Sequence, residues 1–540
     1  MSLTLTTGLI IAIAFVLLFL AVLTTLSDGL VKMAAKQNGQ DPDSFGVLPN
    51  DVPSLMKMRK GRPNHVPKDA NFVALKRGFN IRLLGEAKEV LDTEIPTVQS
   101  STYAIKPKDF IGMMPIPKVV VGEGDNIKAG DVLFYDKQRP EIKYAAPVSG
   151  EMLRIQRGEK RSINEVVILA DKEMEYRQYD LPDLNTVSYE QLSAFLLESG
   201  AWPFIRQRPF DTVAEHTMPP KAIFVTTFDT APLAPSFDLT VKGREAEFQK
   251  GLDVLTKLTA GKVHVSVNAN EPKTSTAFTN ATGVSKHWIK GAHPAGNVGI
   301  QIHHIDPVNT GDVVWHLDVH GVLVLGTLFT KGIFDTRRVV ALTGSEIDEP
   351  RLVYAHQGIC IENFVANIPT KEEVIHTNKE GEAVKTIRRA VRLVSGDPLT
   401  GTQIDEKGYL GFFDDQLTTI AEGDYYELFG WLVPQTGHPT IKKSFPAGLV
   451  KDVYYKADTQ QNGEYRAFVV SGEYEQVLPM DLYPQHLMKA IKANDYEKME
   501  GLGILELGEE DIALCEYVCT SKQPLQKILR DGLDMIREQG

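Results

Sequence analysis

Apolar positions change period several times along the chain, and each change marks an element. Gly8–Leu26, "GLIIAIAFVLLFLAVLTTL", is apolar or uncharged throughout, and the first charged side chain is Asp28. At 1.5 Å per residue a helix over this stretch is about 28 Å long, close to the hydrocarbon thickness of a bilayer. The stretch lacks the basic leader and small-residue cleavage site of a secretory signal. Lys32, Lys36, Lys57, Arg59, Lys60 and Arg62 follow it, so positive-inside bias makes it an anchor with the remaining chain on the cytoplasmic side. Residues 36–69 are rich in Pro, Gly, Asn and Asp, have no periodic apolar face, and read as a linker.

Beyond Arg77 the pattern becomes that of folded protein. "VLFYD" and "EIKYA" predict two strands of a hairpin, closed by "APVSG" and followed through to "EVVILA". "SYEQLSAFLLESGAW", Ser188–Trp202, predicts a helix opened by a Ser-x-x-Gln capping box. "KAIFVTTFD" is continuously apolar, as in a strand covered on both faces. "EAEFQKGLDVLTKLTAGKVHVSV" reads as helix then strand, and "DVVWHLDVHGVLVLGTLFTKGIFDTRRVVALTG" repeats that order. This alternation predicts a layered sheet over about Pro220–Gly344. Arg351–Gly401 is strand-rich, and "PLQKILRDGLDMIRE" places Leu525, Ile528, Leu529, Leu533 and Ile536 on one helical face.

The chain is thus an α/β multidomain (α+β) protein. The expected divisions are 1–35 anchor, 36–77 linker, 78–175 hairpin domain and 176–345 helical connector with layered, Rossmann-like domain. Residues 346–415 form a strand-rich domain, and 416–540 an α+β or helical C-terminal domain. The net charge of −12 and pI near 5.6 exclude a general nucleic-acid binder, which needs clustered cations. Three cysteines, Cys360, Cys515 and Cys519, give no disulfide framework.

Candidate chemistry is sparse. The turn after "AIFVTTFD" is "TAPLAPS", without the glycine that brings backbone amides to a phosphate. Cys515 and Cys519 lack the further ligands of a zinc or iron–sulfur site and read as small buried hydrophobes. His316 and His320 lack the Glu of a zincin, and a strand end at His316 would part their rings. His303 and His304, adjacent in a strand, would face opposite sides, and with His293 they could line a pocket. "RQRPF", Arg206–Phe210, carries two guanidinium groups two residues apart beside an aromatic ring. Such a pair can donate hydrogen bonds to a carbonyl while the ring stacks on its plane; alternatively the arginines cap a helix end or pair with acids.

"VGEGDNIKAGD", Val121–Asp131, followed by the hairpin, resembles biotinyl- and lipoyl-type carrier domains. Its nearest modifiable residue, Lys137, sits off-centre in "DKQRP", which implies a carrier fold without an arm. More broadly, "RGFNIRLLGEAKEV", "FIGMMP", "APVSGEMLRIQRGEKR", "SGAWPFIRQRPF", "AIFVTTFDTAPLAP", "GAHPAG", "RRVVALTG", "SGDPLTG", "ELFGW" and "LELGEEDIALCEYVC" run collinearly from Gly78. Together they resemble the NqrA family, the A subunit of the sodium-translocating NADH:quinone oxidoreductase. The first 77 residues depart from that family, which has no membrane span, so the anchor rests on hydropathy alone.

The resemblance implies a barrel-sandwich hairpin domain, a Rossmann-like domain, a soluble-ligand-binding β-grasp domain at 346–415 and a helical end. The fold would be similar to the C subunit of the Rnf complex and the flavoprotein subunit of complex I, with their cofactor motifs lost. It implies a subunit that binds no cofactor itself, in a complex that uses flavins, iron–sulfur or iron centres, NADH and quinone. Its partners would be the B to F subunits, especially the membrane-embedded B subunit, on the cytoplasmic side of a bacterial inner membrane. Arg206, Arg208 and Phe210, with Phe110 of "FIGMMP", are the expected quinone-proximal residues. Two other classes fit less of the chain. A membrane-fusion adaptor would interrupt the hairpin with long heptad helices, and an active flavin dehydrogenase would need a glycine-rich loop and a cysteine cluster.

Overall fold

The structure is a computed structural model. It describes residues 61–87, 94–366, 391–423 and 453–539, single positions 19, 368 and 441, and the backbone of two strands, Glu372–Thr377 and Ala383–Arg388. Two compact units divide the chain, Met1–His65 and Val66–Gly540. Apart from Phe19, the expected anchor Gly8–Leu26 lies outside the described residues, and among these no helix is long and apolar enough to cross a membrane.

Strand β1 (Asn71–Ala74) falls within the expected linker, yet it is the edge of the largest sheet, parallel to a strand more than 200 residues later (Asn71 faces His287 in register). Parallel edge pairing of a four-residue strand leaves little periodic trace in sequence. The hairpin domain follows as two small sheets. One has the order β2 (Thr102–Ile105), β8 (Ile163–Ala170), β7 (Gly150–Arg157), β4 (Asn126–Ile127). The other runs β3 (Lys118–Val119), β5 (Val132–Tyr135), β6 (Lys143–Ala145). The predicted hairpin is β5–β6, antiparallel, with a register shift between Val132 and Phe134. Their inward residues Leu133, Phe134 and Tyr144 are buried with Val148, Met152, Val166 and Ile168. Lys137 is exposed in the intervening turn.

Helix α1 (Tyr189–Glu198) begins as its sequence requires: Ser188 and Gln191 form both bonds of the capping box. The large sheet then assembles from β9 (Arg206–Arg208), β10 (Thr212–Val213), β11 (Ala222–Thr226), β12 (Lys262–Asn268), β13 (Ser285–Lys290) and β14 (Val314–Leu317). The order is β1-β13-β12-β11-β14-β9-β10. From β1 to β14 all neighbours are parallel, whereas β9 runs antiparallel to β14 and β10 to β9. Counting from β11, the order β13-β12-β11-β14 is the 3-2-1-4 of a doubly wound half-sheet. Its central strands are buried on both faces, which is why they read as unbroken apolar runs. Helices α2 (Glu245–Leu255), α3 (Val298–Ile305) and α4 (Val319–Lys331) belong to this α/β layer.

Strand β15 (Arg337–Gly344), which the alternating pattern assigns to that layered sheet, belongs instead to a five-stranded mixed sheet. The order there is β16 (Arg351–His356), β15, β21 (Gln416–Ala421), β19 (Val391–Ser395), β20 (Thr402–Ile404). Its apolar run is equally suited to either sheet; a hairpin to β16 and parallel pairing to β21 decide the matter. This sheet therefore overruns the 346–415 division at both ends. Strands β17 (Glu372–Thr377) and β18 (Ala383–Arg388) pair with each other.

The C-terminal part is helical, with α5 (Pro484–Lys492), α6 (Glu509–Val518) and α7 (Leu525–Gln539). Leu525, Ile528, Leu529 and Leu533 are buried, as the helical spacing predicts. Ile81 and Leu83, from the segment after Gly78, are buried with this helical core.

Candidate functional site

The β9–β10 hairpin lies where the α/β sheet, the hairpin domain and the C-terminal helices meet. Alternation along β9 puts Arg206 and Arg208 on one side and Gln207 on the other, where Gln207 accepts the amide of Glu215 at 2.8 Å. The turn between the strands bends through left-handed backbone at Phe210 (φ 81°) and Asp211 (φ 56°). A left-handed Phe is sterically unfavourable and persists only where its surroundings hold it. One holding contact is Arg530 of α7, which donates to the Phe210 carbonyl at 3.0 Å.

That turn returns the Asp211 carboxylate onto its own strand. Arg206 donates to it at 3.2 Å, Arg208 Nε lies 3.8 Å away, and His316 Nε2 is at 2.8 Å. Burial opposes its charge, but Arg206, Arg208 and His316 hold the carboxyl well below the usual range. Burial and the two arginines push His316 down to about 4, so this imidazole is neutral at pH 7. Arg208 is completely buried and reaches α6: its Nη2 is 3.1 Å from Glu510 and 3.5 Å from Asp511. Burial disfavours the guanidinium charge, yet Asp211, Asp511 and Glu510 raise its pKa further above the ordinary value. Burial and mutual repulsion around one cation push Glu510 and Asp511 upward.

Arg206 has a different second neighbour. Its guanidinium lies 4.7 Å over the Phe413 ring, and Phe413 stands edge-on to Phe412 and Phe110. Phe110, buried, continues the cluster to Tyr144, with ring centroids 4.4 Å apart. Burial first, then Asp414, raise Asp109 beside it to about 6, against the pull of Lys106. Met113 packs on the same core, while Met114 and Ile116 on the following loop are exposed.

The four expected residues are thus divided. Arg206 and Phe110 come together through Phe413. Arg208 points inward to acids, which matches the acid-pairing alternative for "RQRPF", and Phe210 packs on the helical core. The sequence reading missed Phe413, Asp211, Glu510, Asp511 and Arg530. The "FF" of "GYLGFFDD" and the acid run of "GEEDIA" were the available signals, but nothing local linked them to Arg206 and Arg208.

The other candidates disperse. His303 and His304 lie in α3, not a strand. His303 meets Glu506 at 2.7 Å, and His304 meets the Pro479 carbonyl at 2.7 Å. His316 and His320 have separate acids, Asp211 and Asp415. Cys515 and Cys519 are buried, the latter 2.9 Å from the Tyr474 hydroxyl. Among the described residues no group of three or more acids, histidines and cysteines is arranged to hold a metal.

Fold and junction define a multidomain α/β protein in which a hairpin domain, a doubly wound sheet and a helical end are fastened around a buried arginine. Two family descriptions match it: "NqrA N-terminal barrel-sandwich hybrid domain" over residues 73–171 and "NqrA second alpha/beta domain" over residues 187–334. Proteins named as the A subunit of Na(+)-translocating NADH-quinone reductase are similar along most of the chain. Those of Photorhabdus laumondii, Serratia proteamaculans and Neisseria meningitidis are each 35% identical to it, covering 87% of this chain and 100% of their own length. The chain belongs to the NqrA family, whose members are subunits of the Na(+)-translocating NADH-quinone reductase, an oxidoreductase complex.

Proposed function

We propose that this chain is the cytoplasm-facing subunit of a respiratory sodium pump that oxidises NADH and reduces quinone, and that it supports the quinone-reduction end without binding a redox cofactor. The observation that carries this reading is the Arg206–Phe413 stack next to Phe110. A guanidinium over an aromatic ring, with Nη1 on Asp211, has further N–H groups at its edge to offer a carbonyl oxygen. The methionine loop at Met113 and Met114 supplies adaptable apolar surface beside it. Arg208 serves this surface from behind, by fixing Asp211 and so the position of Arg206. The partners in this reading are the B to F subunits, with the membrane-embedded B subunit nearest, and the uncharged Gly8–Leu26 run anchors the chain in the bacterial inner membrane. The expected β-grasp identity of the five-stranded sheet belongs to the same reading.

The test is the assembled complex carrying Arg206→Gln. Loss of one charge-assisted hydrogen bond, about 1.5–3 kcal/mol, lowers quinone kcat/KM by roughly 10- to 150-fold. NADH oxidation with an artificial electron acceptor stays unchanged. Wild-type quinone kinetics in an assembled variant refute the assignment.

A further inference from the structure

Residues 464–471, "EYRAFVVS", run along the helical end without a turn or bend. One backbone edge of this length is fastened. Arg466 donates its amide to the Ser521 carbonyl at 3.0 Å, and its own carbonyl accepts Gln523 Nε2 at 2.6 Å. In an extended chain the N–H and C=O of one residue point to the same edge, and those of its neighbours to the other. The backbone groups of Tyr465, Ala467 and Val469 therefore face away from residues 521–523, and among the described residues they make no hydrogen bond. The side chains are as open as that edge: Tyr465 is 66%, Val469 58% and Val470 52% exposed. An aromatic and β-branched length with a free edge is a template for another strand.

The flank of this edge is cationic, in a chain whose net charge is −12. Lys489 and Lys492 of α5 stand 5.4 and 5.9 Å from the centre of the Phe468 ring. Gln485, one turn earlier, accepts the Ser471 and Gly472 amides at 2.8 and 3.0 Å, so helix and extended length form one surface. The exposed residues of α5 are His486, Lys489 and Lys492, with no acid among them. A cleft of about 550 Å³ opens beside them between Tyr483, His486, Lys489 and Lys498, and the acid in its lining, Asp495, is already paired with Lys498. Within the extended length itself, Glu464 and Arg466 offset each other.

We propose that residues 465–469 are an open sheet edge on which another subunit of the complex lays an extended, acidic segment. Main-chain bonds to Tyr465, Ala467 and Val469 fix the register of the added strand, and its carboxylates meet Lys489 and Lys492. Anionic lipid would meet the same lysines but offers no strand to the edge.

The test is the complex purified through a tag on another subunit and diluted in steps, with the release of this chain measured at each step. Val469→Pro removes an outward N–H and should raise the concentration at which the chain dissociates by about tenfold. Val470→Pro, whose N–H points to the other edge, should leave it at the wild-type value. Lys489→Glu combined with Lys492→Glu should raise it as well. In the wild-type complex the amides of Tyr465, Ala467 and Val469 should exchange with deuterium more slowly than in the isolated full chain. Equal release of the two proline variants, or no added protection at those three amides, overturns the proposal. Release on reversing the lysines alone, with both proline variants like wild type, assigns the face to anionic lipid and overturns it equally.

Discussion

Replacing Arg208 by Met removes the charge at the junction while keeping most of the side-chain volume, so the outcome measures stranded carboxylates rather than a cavity. Breaking a buried ion pair from one side costs about 3–5 kcal/mol, and the geometry places this case near the lower end. Asp211 keeps Arg206 at 3.2 Å and His316 at 2.8 Å. Glu510, with 32% of its side chain accessible, can rehydrate. Asp511 has no accessible side-chain surface and loses the Arg208 cation, so it bears most of the loss, about 3 kcal/mol. The affected elements are α6 and α7, whose hold on the sheet passes through these contacts. Native-state hydrogen exchange should show their amides opening more readily by about that amount, with the hairpin domain unchanged. Adding Asp511→Asn should then recover about 2 kcal/mol, a non-additivity characteristic of direct partners. A change below about 1 kcal/mol, or no rescue by Asp511→Asn, would mean that Arg208 is not what holds the helical end.

Two further outcomes follow from burial and charge. His293 is buried and its pKa depressed from 6.5 to about 4, so the folded state prefers it neutral. Its contribution is complete above pH 6.5 and is lost progressively down to about pH 4, by about 3 kcal/mol; His293→Gln should flatten the stability–pH curve in that window, and an unchanged slope would exclude His293 as its source. If Gly8–Leu26 anchors the chain with cations on the inside, a reporter fused after Gly540 should be active only in the cytoplasm; activity on the opposite side would reverse the topology.

What was legible in the sequence was local. The Ser188 capping box and the helix it opens involve residues three apart, and the apolar stripe from Leu525 to Leu533 repeats within one helix. The doubly wound alternation was visible because each of its central strands is apolar through and through. Where two outcomes share one local pattern, sequence could not decide. "RRVVALTG" suits a central strand of either sheet, and partners at Arg351–His356 and Gln416–Ala421 settle where β15 goes. "IQIHHI" has the branched residues of a strand but forms a helix, because Asn297 starts a turn there and His303 and His304 find Glu506 and the Pro479 carbonyl.

The junction shows why the site was harder to read than the fold. That Arg206 and Arg208 share a face follows from the period of a strand, and this much is in "RQRPF". Their roles are opposite nonetheless, and the difference comes entirely from what lies beyond each: Phe413 for one, Glu510 and Asp511 for the other, the latter about 300 residues away. A charged group in a folded protein must be solvated by water or by countercharge. Arg208 therefore required buried acids somewhere, and a run such as "GEED" at a helix start is where countercharge of that density occurs. Asp511 is held in turn by the start of its own helix, where it accepts the Gly508 amide at 2.9 Å. The arginine and the acid run are each ambiguous alone. Taken as two parts of one charge balance, they account for a guanidinium and two carboxylates that could not be buried separately.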